Sequence, residues 1–249
     1  DPNANVSDPN ACTYIVGCMD TSATNYDVTA TQACASCCTY PGCTSGIGAN
    51  SESFEIGTSF SQGPWTNWTY DVTSSTFTTT NGWRRDNLGT ISSFTGPSSA
   101  FDGSYYLYCE TSGQYNRVAN LVSDCIDLSN FTNPAFVFAY HMYGATIGVL
   151  NVDVSTDGGG TWTNLYTLTG QQQTSNAASW IEHGVDLSAY AGSIVQVRMN
   201  YTSGTSYTGD CAIDKLSFME MPSTGCTDST ACNYDPLAYF DDGGCLTVY

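Results

Sequence analysis

Twelve cysteines are spread so unevenly along the 249-residue chain that they divide it before any other pattern is read. Six lie in residues 1–43, namely Cys12, Cys18, Cys34, Cys37, Cys38 and Cys43. Residues 44–108 hold none. Cys109, Cys125 and Cys211 follow, and Cys226, Cys232 and Cys245 crowd the last 25 residues. Dense cysteines in short, loop-rich ends imply disulfide-stapled modules in an oxidising compartment. Zinc is the competing reading for Cys34-x-x-Cys37, but no second such pair or His pair completes four ligands. Parity adds a constraint. If all twelve are oxidised, an odd number of the three central and of the three terminal cysteines bonds outside its own module, either between sandwich and repeat or between subunits.

The two ends are copies of one another. Gly17-Cys18-Met19-Asp20 leads to Ala23-Thr24-Asn25-Tyr26-Asp27, and Gly225-Cys226-Thr227-Asp228 leads to Ala231-Cys232-Asn233-Tyr234-Asp235. Cys37 then matches Cys245, with Tyr40 and Tyr249 behind them. Residues 1–14 read as the second half of a further copy, and Gly42-Cys43-Thr44 as the start of one cut short. A repeat of about 25 residues is too small to bury a core alone and must lean on a neighbour. These segments resemble the "GCTD…ACNY…DDGSC" extracellular repeats of bacterial surface proteins, which are similar to thrombospondin type 3 calcium repeats. The resemblance implies Ca²⁺ in the last copy, held by Asp228, Asn233, Asp235, Asp241 and Asp242 beside the Gly243-Gly244 turn. Hard oxygen ligands with a turn glycine suit that ion; solvated acidic turn residues are the other reading. In the first copy Ala33 and Cys34 replace the paired aspartates.

Charge excludes several functions. Five Lys and Arg against 23 Asp and Glu give −18 at pH 7. Such a chain repels the phosphates of nucleic acid and anionic lipid. Disorder is nonetheless a poor reading, because hydrophobic residues make up 41% and aromatics 13%, enough for a core. No apolar run of about 18 residues would span a membrane. The chain starts at Asp1, as a mature or trimmed product does, with no visible signal peptide.

The stretch 52–221 reads as an all-β antiparallel sandwich or jelly roll, joined to the N-terminal repeats by a linker at 44–51. Phe136, Phe138, Tyr140 and Met142 alternate with Val137, Ala139, His141 and Tyr143. Leu150, Val152 and Val154 alternate with Asn151, Asp153 and Ser155. Similar short runs recur between Gly, Asn, Asp and Ser clusters, with no helical stripe. The region resembles the MAM domain, an extracellular jelly-roll module of adhesion proteins and receptors. The matching pieces are Ser53-Phe54-Glu55, Asn81-Gly82-Trp83-Arg84-Arg85, Gly103-Ser104-Tyr105-Tyr106, Ala119-Asn120-Leu121, Phe138 to Gly144 with Gly148-Val149-Leu150, and Ala212-Ile213-Asp214. The cysteines depart from the animal pattern, so no disulfide pairing carries over. The resemblance implies a structural cation joining the first and last strands through Glu55 and Asp214, with Asp102 as a third ligand. Alternation sets Asp214 on the face of Leu216 and Phe218, where a carboxylate needs a partner. An arginine such as Arg84 or Arg85 is the alternative to a cation.

Few residues offer catalysis. Ser155-Thr156-Asp157-Gly158-Gly159-Gly160-Thr161-Trp162 fits the Asp-box pattern of sialidases and related propellers, but one box and four Arg make it a hairpin device. Glu55, Glu110 and Glu182 are far apart in sequence, and no local motif sets two of them at a glycosidase cleft. No G-x-S-x-G elbow is present. His141 and His183 read as packing or surface residues. Trp65, Trp68, Tyr106 and Tyr108 could form a sugar-stacking platform or fill the core. Four N-x-S/T sequons, at Asn5, Asn67, Asn130 and Asn200, are glycosylation candidates.

The expectation is a non-enzymatic extracellular adhesion or structural module of a bacterial surface or fibre-forming protein. Its partners would be further copies of itself, joined head to tail, or cell-surface glycans and proteins. The alternative is a carbohydrate-binding module of a secreted protein. A secreted glycan hydrolase is the third reading, and it requires a carboxylate pair that the sequence does not offer.

Overall fold

The computed structural model describes residues 15–19, 25–34, 51–56, 65, 67–78, 80–236, 238–241 and 243–246. In chain order its strands are β1 (Val16–Gly17), β2 (Gln32–Ala33), β3 (Ser51–Glu52), β4 (Trp68–Asp71), β5 (Arg84–Asp86), β6 (Tyr106–Cys109), β7 (Val118–Ser123) and β8 (Ile126–Asp127). Then follow β9 (Pro134–His141), β10 (Val149–Ser155), β11 (Thr163–Thr169), β12 (Ile181–Asp186), β13 (Ile194–Thr202), β14 (Cys211–Glu220), β15 (Thr224–Gly225) and β16 (Phe240–Asp241). A 3-10 turn at Ser188–Tyr190 is the one helical element among the described residues.

Two antiparallel sheets face each other. The first runs β11-β10-β13-β7-β4, with β8 on β13; the second runs β12-β9-β14-β6-β5, with β3 on β14. Neighbours in the sheets are mostly distant in sequence, as in a jelly roll. The alternation read from the sequence explains the layering. Leu150, Val152 and Val154 of β10, and Val195, Val197, Met199 and Tyr201 of β13, enter the core from one side. Phe136, Phe138 and Tyr140 of β9 with Leu107, Ile213, Leu216 and Phe218 enter from the other. Trp68 bridges the layers, 5.6 Å from the Phe136 ring and 6.2 Å from Phe218. All eight residues of β9 are buried, because a second, smaller cluster covers the back of its sheet. There Tyr106, Tyr108, Ala212 and Trp180 pack together. The loop above is pinned by Tyr106 Oη to the Leu88 carbonyl (2.6 Å) and Trp180 Nε1 to the Ser99 carbonyl (3.0 Å).

The ends have matching local structures. β1 pairs with β2 in parallel, as β15 does with β16. Cys18 bridges to Tyr26 as Cys226 does to Tyr234. The Asp27 amide donates to the Cys18 carbonyl at 2.8 Å, and that of Asp235 to Cys226 at 2.9 Å. A Cβ on Gly17 would lie 2.9 Å from Asp27 Oδ2, and one on Gly225 would lie 3.2 Å from Asp235 Oδ2. The glycine ahead of each cysteine is therefore a space requirement. The terminal copy is closed by a Cys226–Cys245 disulfide and docks on the second sheet. Lys215 Nζ and Tyr239 Oη both donate to Glu182 Oε1, at 3.1 and 3.0 Å.

The expectation that all twelve cysteines form disulfides is corrected at three positions. Cys109, Cys211 and Cys232 are free thiols. Cys109 and Cys211 are direct register partners across β6 and β14, fully buried in the core, where burial pushes both thiols well up. A buried thiol with little thiolate character is poorly reactive. Cys18, Cys34 and Cys125 are disulfide-bonded. With Cys109 and Cys211 free, Cys125 bonds to a cysteine outside the sandwich, whereas the terminal repeat closes on itself through Cys226–Cys245 and leaves Cys232 free, contrary to the parity expectation. Cys12, Cys37, Cys38 and Cys43 lie outside the described residues.

Candidate functional site

The Glu55–Asp214 edge gathers around one turn. Asp214 Oδ2 accepts the amides of Phe101 and Asp102, each at 2.9 Å, while Oδ1 takes the Lys215 amide at 2.7 Å. Glu55 Oε1 accepts the amides of Ser104 and Tyr105, both at 2.9 Å. Between them sits Gly103 at φ +62°, where a Cβ would fall 2.5 Å from Glu55 Oε1. Arg85 is fully buried and fixes the approach of Glu55. Its Nε donates to the Phe54 carbonyl, and its Nη2 donates to the Glu55 carbonyl at 2.8 Å.

Asp214 does not share a face with Leu216 and Phe218. The β9–β14 register shifts between Asp214 and Ser217, with Lys215 at φ +49°. This bulge inserts one extra residue and turns Asp214 to the outer side with Ala139, away from the core. Burial still pushes its pKa up to about 7, and Asp102 adds to the rise. Neither Arg84 nor Arg85 is its partner in the hydrogen bonds described. Glu55, Asp102 and Asp214 thus border one loop, but the Glu55 and Asp214 oxygens turn to its amides, that of Asp102 included. No three His, Cys, Asp or Glu side chains converge as a metal site among the described residues.

In the terminal repeat Asp228 Oδ1 accepts the amide and hydroxyl of Thr230, at 2.8 and 2.7 Å. Asn233 bridges the Gly244 carbonyl and the Leu246 amide, at 2.8 and 2.7 Å. These oxygens and nitrogens brace turns. Asp235 follows the Cys226 bridge, whereas Asp242 and the side chain of Asp241 lie outside the described residues.

The aromatic platform is corrected. Tyr106 and Tyr108 are 0% exposed, Trp68 2% and Trp65 7%, so none offers a ring face to a glycan. Both sheet faces are covered at these positions, which alternation alone does not reveal. Among the sequons, Asn5 lies outside the described residues and Asn67 sits in a turn at φ +60°. Asn130 is exposed, and Asn200 lies within β13 with its amide donated to Asn120 Oδ1 at 2.6 Å.

The Asp-box segment forms the predicted hairpin. Ser155 Oγ donates to Asp157 Oδ1 at 2.7 Å and accepts the Gly159 amide at 2.9 Å; Asp157 then takes the amide and hydroxyl of Thr161, at 2.9 and 2.7 Å. Trp162 emerges over the outer face of the first sheet, 4.4 Å from the Arg198 guanidinium. That face escaped the sequence reading. Its signal was the polar series Gln196, Arg198, Asn200, alternating with the core residues of β13.

Two further acids lie inside. Asp210 is fully buried, with Oδ1 accepting the Thr111 amide and hydroxyl at 3.0 and 3.1 Å. Burial first, then the charge of Glu110, pushes it up to about 7. Glu110 lies 4.0 Å from Arg84. His141, fully buried beside Trp180, is held down to about 4 by burial. No described helix is long and apolar enough to cross a membrane.

MAM domain-containing protein 2 of Mus musculus is 29% identical over 60% of this chain and 21% of its own length. MAM domain-containing glycosylphosphatidylinositol anchor protein 2, also of Mus musculus, is 34% identical over 51% of the chain and 14% of its own length. The matches therefore span only 21% and 14% of those much longer relatives. Among solved structures, a cleaved adhesin domain of Lys-gingipain from Porphyromonas gingivalis is similar at a TM-score of 0.47, with 18% identity over 70% of this chain and 98% of that one. The model of the MAM domain, meprin/A5/mu, matches residues 58–227, more than half of the sequence, and the chain belongs to that family.

Proposed function

We propose that this chain is an extracellular adhesion and structural module of a bacterial surface or fibre-forming protein, in which sandwich and repeats act as one unit in a series. The observation that carries the reading is the docked terminal repeat. Glu182 on β12 gathers Lys215 from β14 and Tyr239 from the repeat around one oxygen, and Phe240 lies against Gly184, where an added Cβ would be 3.1 Å from its ring. A module whose end is fastened to its sheet passes load onward instead of trailing a loose tail. A repeat unit at each end gives the module a contact region at both of its ends, and a head-to-tail series needs one of these to complement the other.

Calcium at the terminal repeat belongs to this reading on the strength of the sequence. Asp228, Asp235, Asp241 and Asp242 concentrate carboxylates in a short segment, and a divalent ion would relieve their repulsion. Bead clustering tests the adhesive part. Beads coated with the intact chain should aggregate with one another, and soluble chain should compete. Beads that stay dispersed at every density would refute self-association as the basis of adhesion.

A further inference from the structure

We propose that the outer face of the first sheet is a saccharide site, with Trp162 as its aromatic wall and an uncharged pyranose as its ligand. The register builds this face. Thr69, Val122, Arg198, Asp153 and Asn164 stand side by side across β4, β7, β13, β10 and β11. A second row, one step along, runs through Asp71, Asn120, Asn200 and Asn151. Side chains in these rows hold one another: Asn200 to Asn120 at 2.6 Å, Thr167 to Asn151 at 2.7 Å, and Asn164 to Asp153 at 3.0 Å. The surface is therefore ordered before any ligand arrives, which lowers the cost of binding.

Arg198 fixes the wall. Its Nε and Nη2 both donate to Asp153 Oδ2, at 3.0 and 2.7 Å. That pairing balances its charge and holds the guanidinium 4.4 Å from the centre of the Trp162 ring, a cation–π contact. The Asp-box hairpin fixes the indole from the other end, and Gly158 and Gly159 (φ +74° and +90°) keep the approach free of side chains. Beside Trp162 opens a cleft of about 540 Å³, bordered by Gln196, Ser123, Asp124 and Asp71, a volume within the usual range for small-ligand sites. Gln196 spends its Nε2 on the Ser123 carbonyl at 3.0 Å, so its Oε1 remains an acceptor.

The ligand class follows from what is left to bind. An aromatic face meets an apolar C–H face, while the Gln196 and Asp124 oxygens meet hydroxyl donors; a pyranose presents both together. An anionic sugar would meet Asp71 and Asp124, with Arg198 already neutralised by Asp153. A Lys-rich peptide would pair with Asp71 and Asp124 but leave the indole face unused, so it is the contrasting probe.

The experiment titrates the intact chain with cellotriose, xylotriose, mannotriose and galactotriose, after a screen on an array of neutral glycans. Calorimetry and tryptophan fluorescence are the readouts. At least one neutral saccharide should bind, and Trp162→Ala should weaken it by about tenfold or more, with Trp162→Tyr recovering part of the loss. Asp124→Asn, on an exposed residue, should weaken it similarly without moving the thermal midpoint. That variant keeps the test decisive if Trp162→Ala misfolds. The site is refuted if no neutral saccharide binds, if binding survives both substitutions, or if only Lys-rich peptides bind. None of these results bears on bead clustering, so this site and the adhesive series fail separately.

Discussion

Glu55 and Asp214 grip one turn from opposite sides: Glu55 takes the amides after Gly103, and Asp214 takes those before it. The first and last segments of the sandwich are thereby tied through a loop that neither adjoins in sequence. The tie is made by carboxyl oxygens that accept four backbone amides of that loop.

Gly103→Ala breaks this arrangement at its centre. Alanine at φ +62° is strained by about 1–2 kcal/mol, and its Cβ would meet Glu55 Oε1 at 2.5 Å. Chemical denaturation should show a loss of about 2 kcal/mol or more once the clash is added. A loss below about 0.5 kcal/mol would mean the turn relaxes without cost.

Asp210 gives the fold a pH dependence of definite sign. Its folded pKa, about 7, lies above the ordinary 3.8. Between these values the folded state keeps a proton that the unfolded state has lost. The contribution is fully present below about pH 4 and is lost as pH rises through 7. Relative to Asp210→Asn, the native chain should lose stability on going from pH 4.5 to 7.5, at up to about 1.4 kcal/mol per pH unit. Urea titrations of both proteins measure the difference, and parallel profiles would contradict the assignment.

Thiol labelling separates the three free cysteines. Cys232 is exposed and should react with iodoacetamide in the native state. Cys109 and Cys211 should react only after unfolding, because burial withholds both access and thiolate. Mass mapping that finds either buried thiol labelled natively would contradict the packing of β6 on β14.

Calcium should order the terminal repeat before it affects the sandwich. Limited proteolysis in calcium and in chelator is expected to differ at residues 225–249 and to agree at 52–221. Identical digests in both would remove calcium from the account.

Much of this fold was legible in the sequence. Alternation along Phe136–Tyr143 and Leu150–Ser155 identified strands and their core sides, and the copied Gly-Cys segments identified matching ends. What was not legible depended on three-dimensional register. The bulge at Lys215 reversed the side on which Asp214 lies, and a local pattern cannot anticipate an inserted residue. The loop over Tyr106 and Tyr108 turned a supposed platform into a second core. The Asp-box segment read only as a hairpin device because Arg198, which lies against the Trp162 ring, is far away in sequence.

The central claim is that the chain works as a unit in a series, and electron microscopy of the native material tests it most directly. Linear assemblies with a regular axial repeat are predicted, one module joined to the next through the repeat-bearing ends. Uniform, isolated single-chain particles at all concentrations would contradict it.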